Sequence, residues 1–149
     1  MTNFKLAAHS DSEEILQMME DFYLIDHYPF DKNRNQKNLQ KLIDNNQLGR
    51  LWMIHVDGVV VGYICATFGF SFEYGGQDAF IDEFYIKSDF RDQGIGRQAM
   101  EFVEQELTKL GIEAIHLEVE RHNEKGNRLY VKQGYKDKGR FLLTKWATL

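Results

Sequence analysis

Arg91-Asp92-Gln93-Gly94-Ile95-Gly96-Arg97 stands between a strand-like run and a long amphipathic helix, and no other stretch restricts the fold so strongly. A chain that enters a helix through glycines can bring its backbone close to an anion, because no side chain intervenes. The first helical turn then presents amide groups without intrahelical acceptors, together with the positive end of the helix dipole. Arg91 and Arg97 add charge beside it. The pattern demands a strand–turn–helix unit and predicts a phosphorylated ligand at the helix start.

At 149 residues the chain fits one domain, 1–149, large enough to bury a core and too short for two ordinary ones. Its hydrophobic content of 43% and aromatic content of 13% suit a packed globule rather than a disordered segment. The formal charge of −5 and the absence of any Lys/Arg run argue against nucleic-acid binding, which needs clustered cations. Cys65 is the single cysteine, so no intrachain disulfide or multi-cysteine metal site can form; within Val59-Val60-Val61-Gly62-Tyr63-Ile64-Cys65-Ala66 it reads as a buried thiol. The N-terminus lacks the basic and apolar blocks of a signal peptide, and the longest charge-free apolar stretch, Val59 to Phe70, is too short to cross a bilayer. A cytoplasmic location without membrane contact is the expectation.

Hydrophobic spacing orders the elements. Phe4 to Ala7 alternates as a first strand, and Ser10 or Ser12 can cap a helix carrying Ile15, Met18, Met19 and Phe22 on one face, which Pro29 stops. A second helix is predicted over Gln36–Asn45. Leu51–Val56 and Val59–Phe68 read as strands joined by the hairpin turn Asp57-Gly58, and Gly75-Gly76 suggests another hairpin leading to Ala79–Ile86. Beyond the glycine turn, Ala99, Val103, Leu107 and Leu110 repeat at helical spacing and Gly111 ends that helix. Ala114–Val119 is a further strand, Arg121–Gly126 a polar loop, Asn127–Gln133 a short helix, and Tyr135–Ala147 one or two final strands. With no linker or repeat, helices and strands share one mixed sheet.

Gly94-Ile95-Gly96-Arg97-Gln98-Ala99 also satisfies the dinucleotide fingerprint G-x-G-x-x-A. In that fold the glycines follow the strand almost at once, whereas Lys87 to Gln93 intervenes here. The turn also comes late, after antiparallel hairpins, so an NAD- or FAD-binding protein is disfavoured. The alternative pattern is Arg91-x-x-Gly94-x-Gly96, preceded by Phe80-Ile81-Asp82-Glu83-Phe84-Tyr85-Ile86 and followed by Asn123 and Leu129-Tyr130-x-x-x-Gly134-Tyr135. It resembles the GNAT superfamily of N-acetyltransferases over nearly the whole chain, most specifically from Phe80 to Tyr135.

The resemblance implies a mixed α/β, single-domain GNAT-like fold. Its central sheet would be mixed but mostly antiparallel, with six or seven strands, helices on both faces and a splayed parallel strand pair. It further implies acetyl-coenzyme A as cofactor, its pyrophosphate on the backbone of Gln93, Gly94, Ile95, Gly96 and Arg97, flanked by Arg91 and Asp92. The pantetheine arm would pair with the backbone of Phe84, Tyr85 and Ile86 like an added strand, with Asn123 contacting it from the loop opposite.

An amine with a lysine-like pKa of about 10.4 is almost wholly protonated at neutral pH, so a base is useful. In the family pattern either Asp82 or Glu83 can supply the carboxylate. Being adjacent on a strand, they are expected to face opposite sides, and Glu83 is preferred as base with Asp82 as polar support. A backbone amide near Phe84 would stabilise the oxyanion that attack on the thioester creates. Tyr130 matches the family tyrosine beside the coenzyme sulfur, where a phenol can protonate a departing thiolate. The histidines, His9, His27, His55, His116 and His122, share no metal-ligand spacing, so no metal is expected and they read as packing or surface residues.

The acceptor surface of such a fold contains Tyr23, Asp26, His27, Tyr28, Phe30, Phe72, Glu73 and Tyr74. Aromatic residues with scattered acids suit a primary amine with an apolar or extended body, small molecule or peptide. The same residues serve equally as a subunit interface, since GNAT-like domains are often homodimers. A coenzyme-A-binding module without transfer activity stays open as the second class of function; Tyr130 together with the acid pair opposes it, because binding alone requires only the turn.

Overall fold

The computed structural model describes residues 1–148. It divides into two units, the first running from Met1 to Glu118 and the second beginning at Val119. In the first, five strands, β1 (Thr2–Leu6), β2 (Gly49–Val56), β3 (Val59–Ser71), β4 (Gly76–Ile86) and β5 (Ala114–Leu117), form one sheet in sequence order. Every neighbouring pair is antiparallel except β4 and β5, which run parallel.

Strand alternation sorts the sheet's side chains onto two faces. On one, Leu51, Met53, Tyr63, Cys65 and Tyr85 are buried against Ile15, Leu16 and Met18 of α1 (Ser12–Ile25) and Leu39 of α2 (Lys32–Asp44). On the other, Phe102 of α3 (Ile95–Lys109) stacks on Phe4 at 4.4 Å and meets Trp52 edge-on at 5.7 Å. Ala99, Met100, Val103 and Leu107 make the inner stripe of α3, all fully buried. Burial of Met100, Val103 and Leu107 contributes roughly 1.5–3 kcal/mol each through removal from water, and Ala99 less, so this helix is held firmly against the sheet.

The turn between β2 and β3 is the expected one: Asp57 and Gly58 both take positive φ, 49° and 80°, as a twisted two-residue hairpin requires. Caps shift two helix starts from their predicted places. Asp31 accepts from the Arg34 amide at 3.0 Å, so α2 begins at Lys32 rather than Gln36. At the first helix neither Ser10 nor Ser12 caps; Asp11 is the N-cap residue and its carboxylate binds the Ala8 amide at 2.8 Å.

The second unit holds α4 (Glu124–Lys132), which starts three residues before the expected Asn127 because the Asn123 side chain accepts from the Gly126 amide at 2.9 Å. The final strands expected over Tyr135–Ala147 do not form among the described residues, which leaves five strands where six or seven were anticipated. Apolar composition does not suffice for a strand, whose backbone groups need a ladder partner. Phe141, Leu143 and Trp146 are 85%, 90% and 82% exposed.

Candidate active site

The parallel ladder between β4 and β5 ends at the pair Ile81 and Leu117, while β4 continues to Ile86. Past Ile81 no strand among the described residues lies beside its far edge in the sheet. Phe84, Tyr85 and Ile86 therefore offer main-chain groups to an extended ligand, as a strand edge does. Arg91 reaches back along this end, its Nε donating to the Ile86 carbonyl at 2.8 Å with the guanidinium 5.7 Å from the Tyr85 ring.

From that edge the chain passes through a 3-10 turn at Ser88–Phe90 into α3. Asp92 and Gly94 adopt left-handed backbone, φ 61° and 79°, and Gly94 is the N-cap residue. Nothing lies within 4 Å of where a Gly94 side chain would begin. The first intrahelical bond runs from the Gln98 amide to the Gly94 carbonyl at 3.2 Å, so the amides of Ile95, Gly96 and Arg97 precede the helix ladder. Gln93 spends its side chain on the Asp89 carbonyl, 3.2 Å away. Arg91 and Arg97 are exposed, Arg97 with Glu101 4.0 Å away on the next turn. An open glycine turn at the dipole's positive end, two arginines and a free strand edge together suit a long ligand carrying phosphate.

The acid pair lies at a break in β4. Cys65 pairs with Glu83 and Ala66 with Ile81, so Asp82 is an extra residue in the ladder, a β-bulge. The strict alternation expected of adjacent residues is interrupted there. Glu83 points to the face carrying α1, where Tyr63 donates to Oε1 at 2.8 Å and Tyr23 to Oε2 at 2.5 Å. Burial raises the Glu83 pKa above the ordinary range; the two phenol donors pull it down, and the charge of Asp82 pushes it up again. Asp82 has an exposed side chain, and the surrounding protein, which partly excludes water, raises its pKa. Tyr23 is raised by burial first, then by its hydrogen bond to Glu83 and the Glu83 charge, with Asp82 adding least, while Cys65 is raised by burial and then by the charges of Asp82 and Glu83, so both acids act on one cluster.

The predicted acceptor residues separate into two places. Phe30 packs its ring edge-on to Tyr23 at 5.5 Å, and the Tyr28 amide donates to the Tyr23 carbonyl at 2.9 Å, which puts the loop after α1 beside the Glu83 cluster. Asp26 is half-buried in that loop and Tyr28 is exposed. Glu73 and Tyr74 belong instead to the β3–β4 hairpin, where Tyr74 meets the His116 ring at 4.6 Å and Asp78 holds His116 at 3.0 Å. Among the second unit's residues, Asn123 is occupied as the helix cap, and Tyr130 is a half-buried side chain 6.2 Å from the Tyr135 ring, its pKa raised by burial.

Sequence reasoning passed over Tyr63. The signal was present: a lone phenol inside a run of aliphatic strand residues must find a polar partner once buried. The bulge had no local signal, because it is a property of the register between two strands.

The sequence matches the model of the acetyltransferase (GNAT) family over residues 13–135. It is 30% identical to an IAA acetyltransferase of Azospirillum brasilense over 144 residues, 95% of this chain and 90% of that protein. Among solved structures, an integron cassette protein from the mobile metagenome of Cole Harbour Salt Marsh superposes with a TM-score of 0.87 at 29% identity, covering 98% of this chain and 91% of the other. A predicted acetyltransferase from Clostridium acetobutylicum, solved with acetyl-CoA, shares the fold with a TM-score of 0.82 at 16% identity, covering 97% and 96%.

Proposed function

The chain belongs to the GNAT family of acetyltransferases, and we propose that it transfers the acetyl group of acetyl-CoA to a primary amine by direct attack, with both substrates bound at once. The observation that carries this reading is Glu83: a carboxylate beside the bulge, raised by burial yet held by two phenols, on the strand whose free edge runs toward the glycine turn.

The residues present fit acetyl-CoA. The amides of Ile95, Gly96 and Arg97, with Arg91 and Arg97 beside them, take the pyrophosphate, and the β4 edge from Phe84 to Ile86 takes the pantetheine amides. Asn123 supplies a further contact to that arm and Tyr130 the proton for the departing thiolate, both on the family pattern. Acetyl-CoA, when bound, supplies an acyl carbon activated as its thioester.

Glu83 removes a proton from the acceptor ammonium, directly or through water, and so frees the nitrogen lone pair. A base of raised pKa serves better here than an ordinary carboxylate, since it is closer in basicity to the amine it must deprotonate. Asp82 supports this by charge: it favours both the cationic acceptor and protonation of its neighbour. Tyr130 carries its proton at neutral pH as any phenol does, and burial raises its pKa further; protonated is the state a general acid requires. The loop of Asp26, Tyr28 and Phe30 lines the approach to Glu83.

Free-thiol release from acetyl-CoA across a panel of primary amines tests the reading. Amine-dependent release supports it; coenzyme A binding with no release for any amine would favour the binding-module alternative. Among the described residues no helix is long and apolar enough to cross a membrane.

A further inference from the structure

Glu83 receives its two phenols from opposite sides. Tyr63 comes from the middle of the sheet, has 0% exposure and keeps its hydroxyl 2.8 Å from Oε1. Tyr23 comes from the last turns of α1, is only half-buried, and meets Oε2 at 2.5 Å. Tyr63 is hemmed in by Phe22 and Tyr85, at ring distances of 6.4 and 6.1 Å. Tyr23 touches the loop after α1 and the first turn of α2: the Phe30 ring, the Tyr28 amide and the Asn35 side chain.

We propose that Tyr63 and Tyr23 are positioning residues for Glu83 with unequal tasks: Tyr63 fixes the carboxylate in the cleft, and Tyr23 links it to the loop of residues 26–31. The proposal rests on Glu83 acting as the base. Each carboxylate oxygen has two acceptor sites and each phenol uses one, so a lone pair stays on either oxygen for the incoming proton. In the proton step the N–H bond of the acceptor ammonium breaks, its electron pair stays on nitrogen, and the proton binds a Glu83 oxygen while both phenols keep theirs.

The titratable groups around Glu83 are Tyr23 from α1, Tyr63 and Cys65 from β3, and Asp82 on its own strand. Burial raises the two phenols and the thiol above their ordinary values, away from the neutral range, and Asp82 is the neighbour whose charge raises Glu83. Burial and Asp82 make Glu83 more basic; the phenols oppose them and set its orientation. A ligand that displaces Phe30 loosens Tyr23 from Oε2 and raises the basicity of Glu83 when an acceptor is present.

Titration of the Glu83 carboxyl by carbon-13 NMR, assigned by loss of the signal in Glu83→Gln, reads the proposal without turnover. Tyr63→Phe and Tyr23→Phe should each raise the midpoint by about one unit, with the acidic limb of the kcat/KM profile moving equally and acetyl-CoA affinity unchanged. Phe30→Ala should move the midpoint when Tyr23 is present and leave it in place in Tyr23→Phe. A midpoint unmoved in folded Tyr23→Phe overturns the proposal, and this near-surface variant decides the matter if Tyr63→Phe does not fold. A Phe30→Ala shift that is the same in both backgrounds overturns the link to the loop. If the midpoints move as expected but Glu83→Gln keeps full turnover, the positioning stands and the assignment of the base falls. If Glu83→Gln loses turnover and the midpoints stay still, the base stands and the positioning falls.

Discussion

The Tyr63 hydroxyl donates to Oε1 of Glu83 at 2.8 Å from a side chain with no exposed surface. A carboxylate that reaches a buried phenol has given up part of its own hydration. Glu83→Gln should therefore lower turnover by about 10²- to 10⁴-fold, the usual contribution of a general base, while acetyl-CoA affinity measured by calorimetry stays at the wild-type value.

The same substitution should stabilise the protein at neutral pH. Because burial raises the folded-state pKa of Glu83 above its unfolded value, the ionised side chain opposes folding. That penalty is absent below the unfolded pKa, grows as pH rises through the folded one and is constant above it. Relief of the penalty raises Tm at neutral pH. Scanning calorimetry should show a gain at pH 7 that disappears under acidic conditions; an equal gain at both would exclude the charge as its source.

Gly94→Ala separates backbone conformation from crowding. The φ of 79° costs a non-glycine residue about 1–2 kcal/mol, yet the space around the site is open, so no side chain inside the protein is displaced. Weaker acetyl-CoA binding with a near-native fold is expected, and Gly94→Asn, which tolerates left-handed backbone better, should lose less stability. Equal unfolding midpoints for the two variants in denaturant would contradict the conformational account.

At Gly62 the opposite holds. A methyl group there would begin 2.1 Å from the Tyr85 carbonyl oxygen, a main-chain atom fixed by the β3–β4 ladder. Gly62→Ala should cost more than about 3 kcal/mol, at the severe end of single substitutions, and denaturant unfolding with a loss at or below 1 kcal/mol would show that the two strands part easily.

Tyr130→Phe tests the proton donor. The phenol is raised by burial, so removal of its hydroxyl should lower kcat by about 10²-fold or more with little change in acetyl-CoA affinity. The basic limb of the profile should also disappear if this phenol sets it. Unchanged kcat in steady-state assays removes Tyr130 from the reaction.

Local chemistry made much of this fold readable. Asp57-Gly58 announced its hairpin because both residues accept positive φ, and the stripe Ala99, Val103, Leu107 announced α3 because its period is that of a helix. The starts of α2 and α4 were readable in principle from Asp31 and Asn123, whose side chains reach an amide three residues on. The tail shows the limit of composition: Phe141, Leu142 and Leu143 resemble a strand, but pairing is decided by an edge elsewhere. In the site, the glycine turn and the acid pair are visible as residues. Their arrangement is not, since the extra residue at Asp82 and the phenol opposite Glu83 arise only when β3 and β4 find their register.

Where β4 outruns β5 beyond Ile81, the surface on offer is peptide backbone. Amides and carbonyls are common to all residue types except proline, whose amide is missing, so substitution at Phe84, Tyr85 or Ile86 can change bulk and colour without erasing the hydrogen-bonding pattern. As the proposed seat of the coenzyme arm, such an edge would be inherited with the topology. Selection can then reshape the loops and carboxylates that meet the second substrate while the seat of the first persists, and chains sharing few residues can retain a common donor and diverge in what they modify.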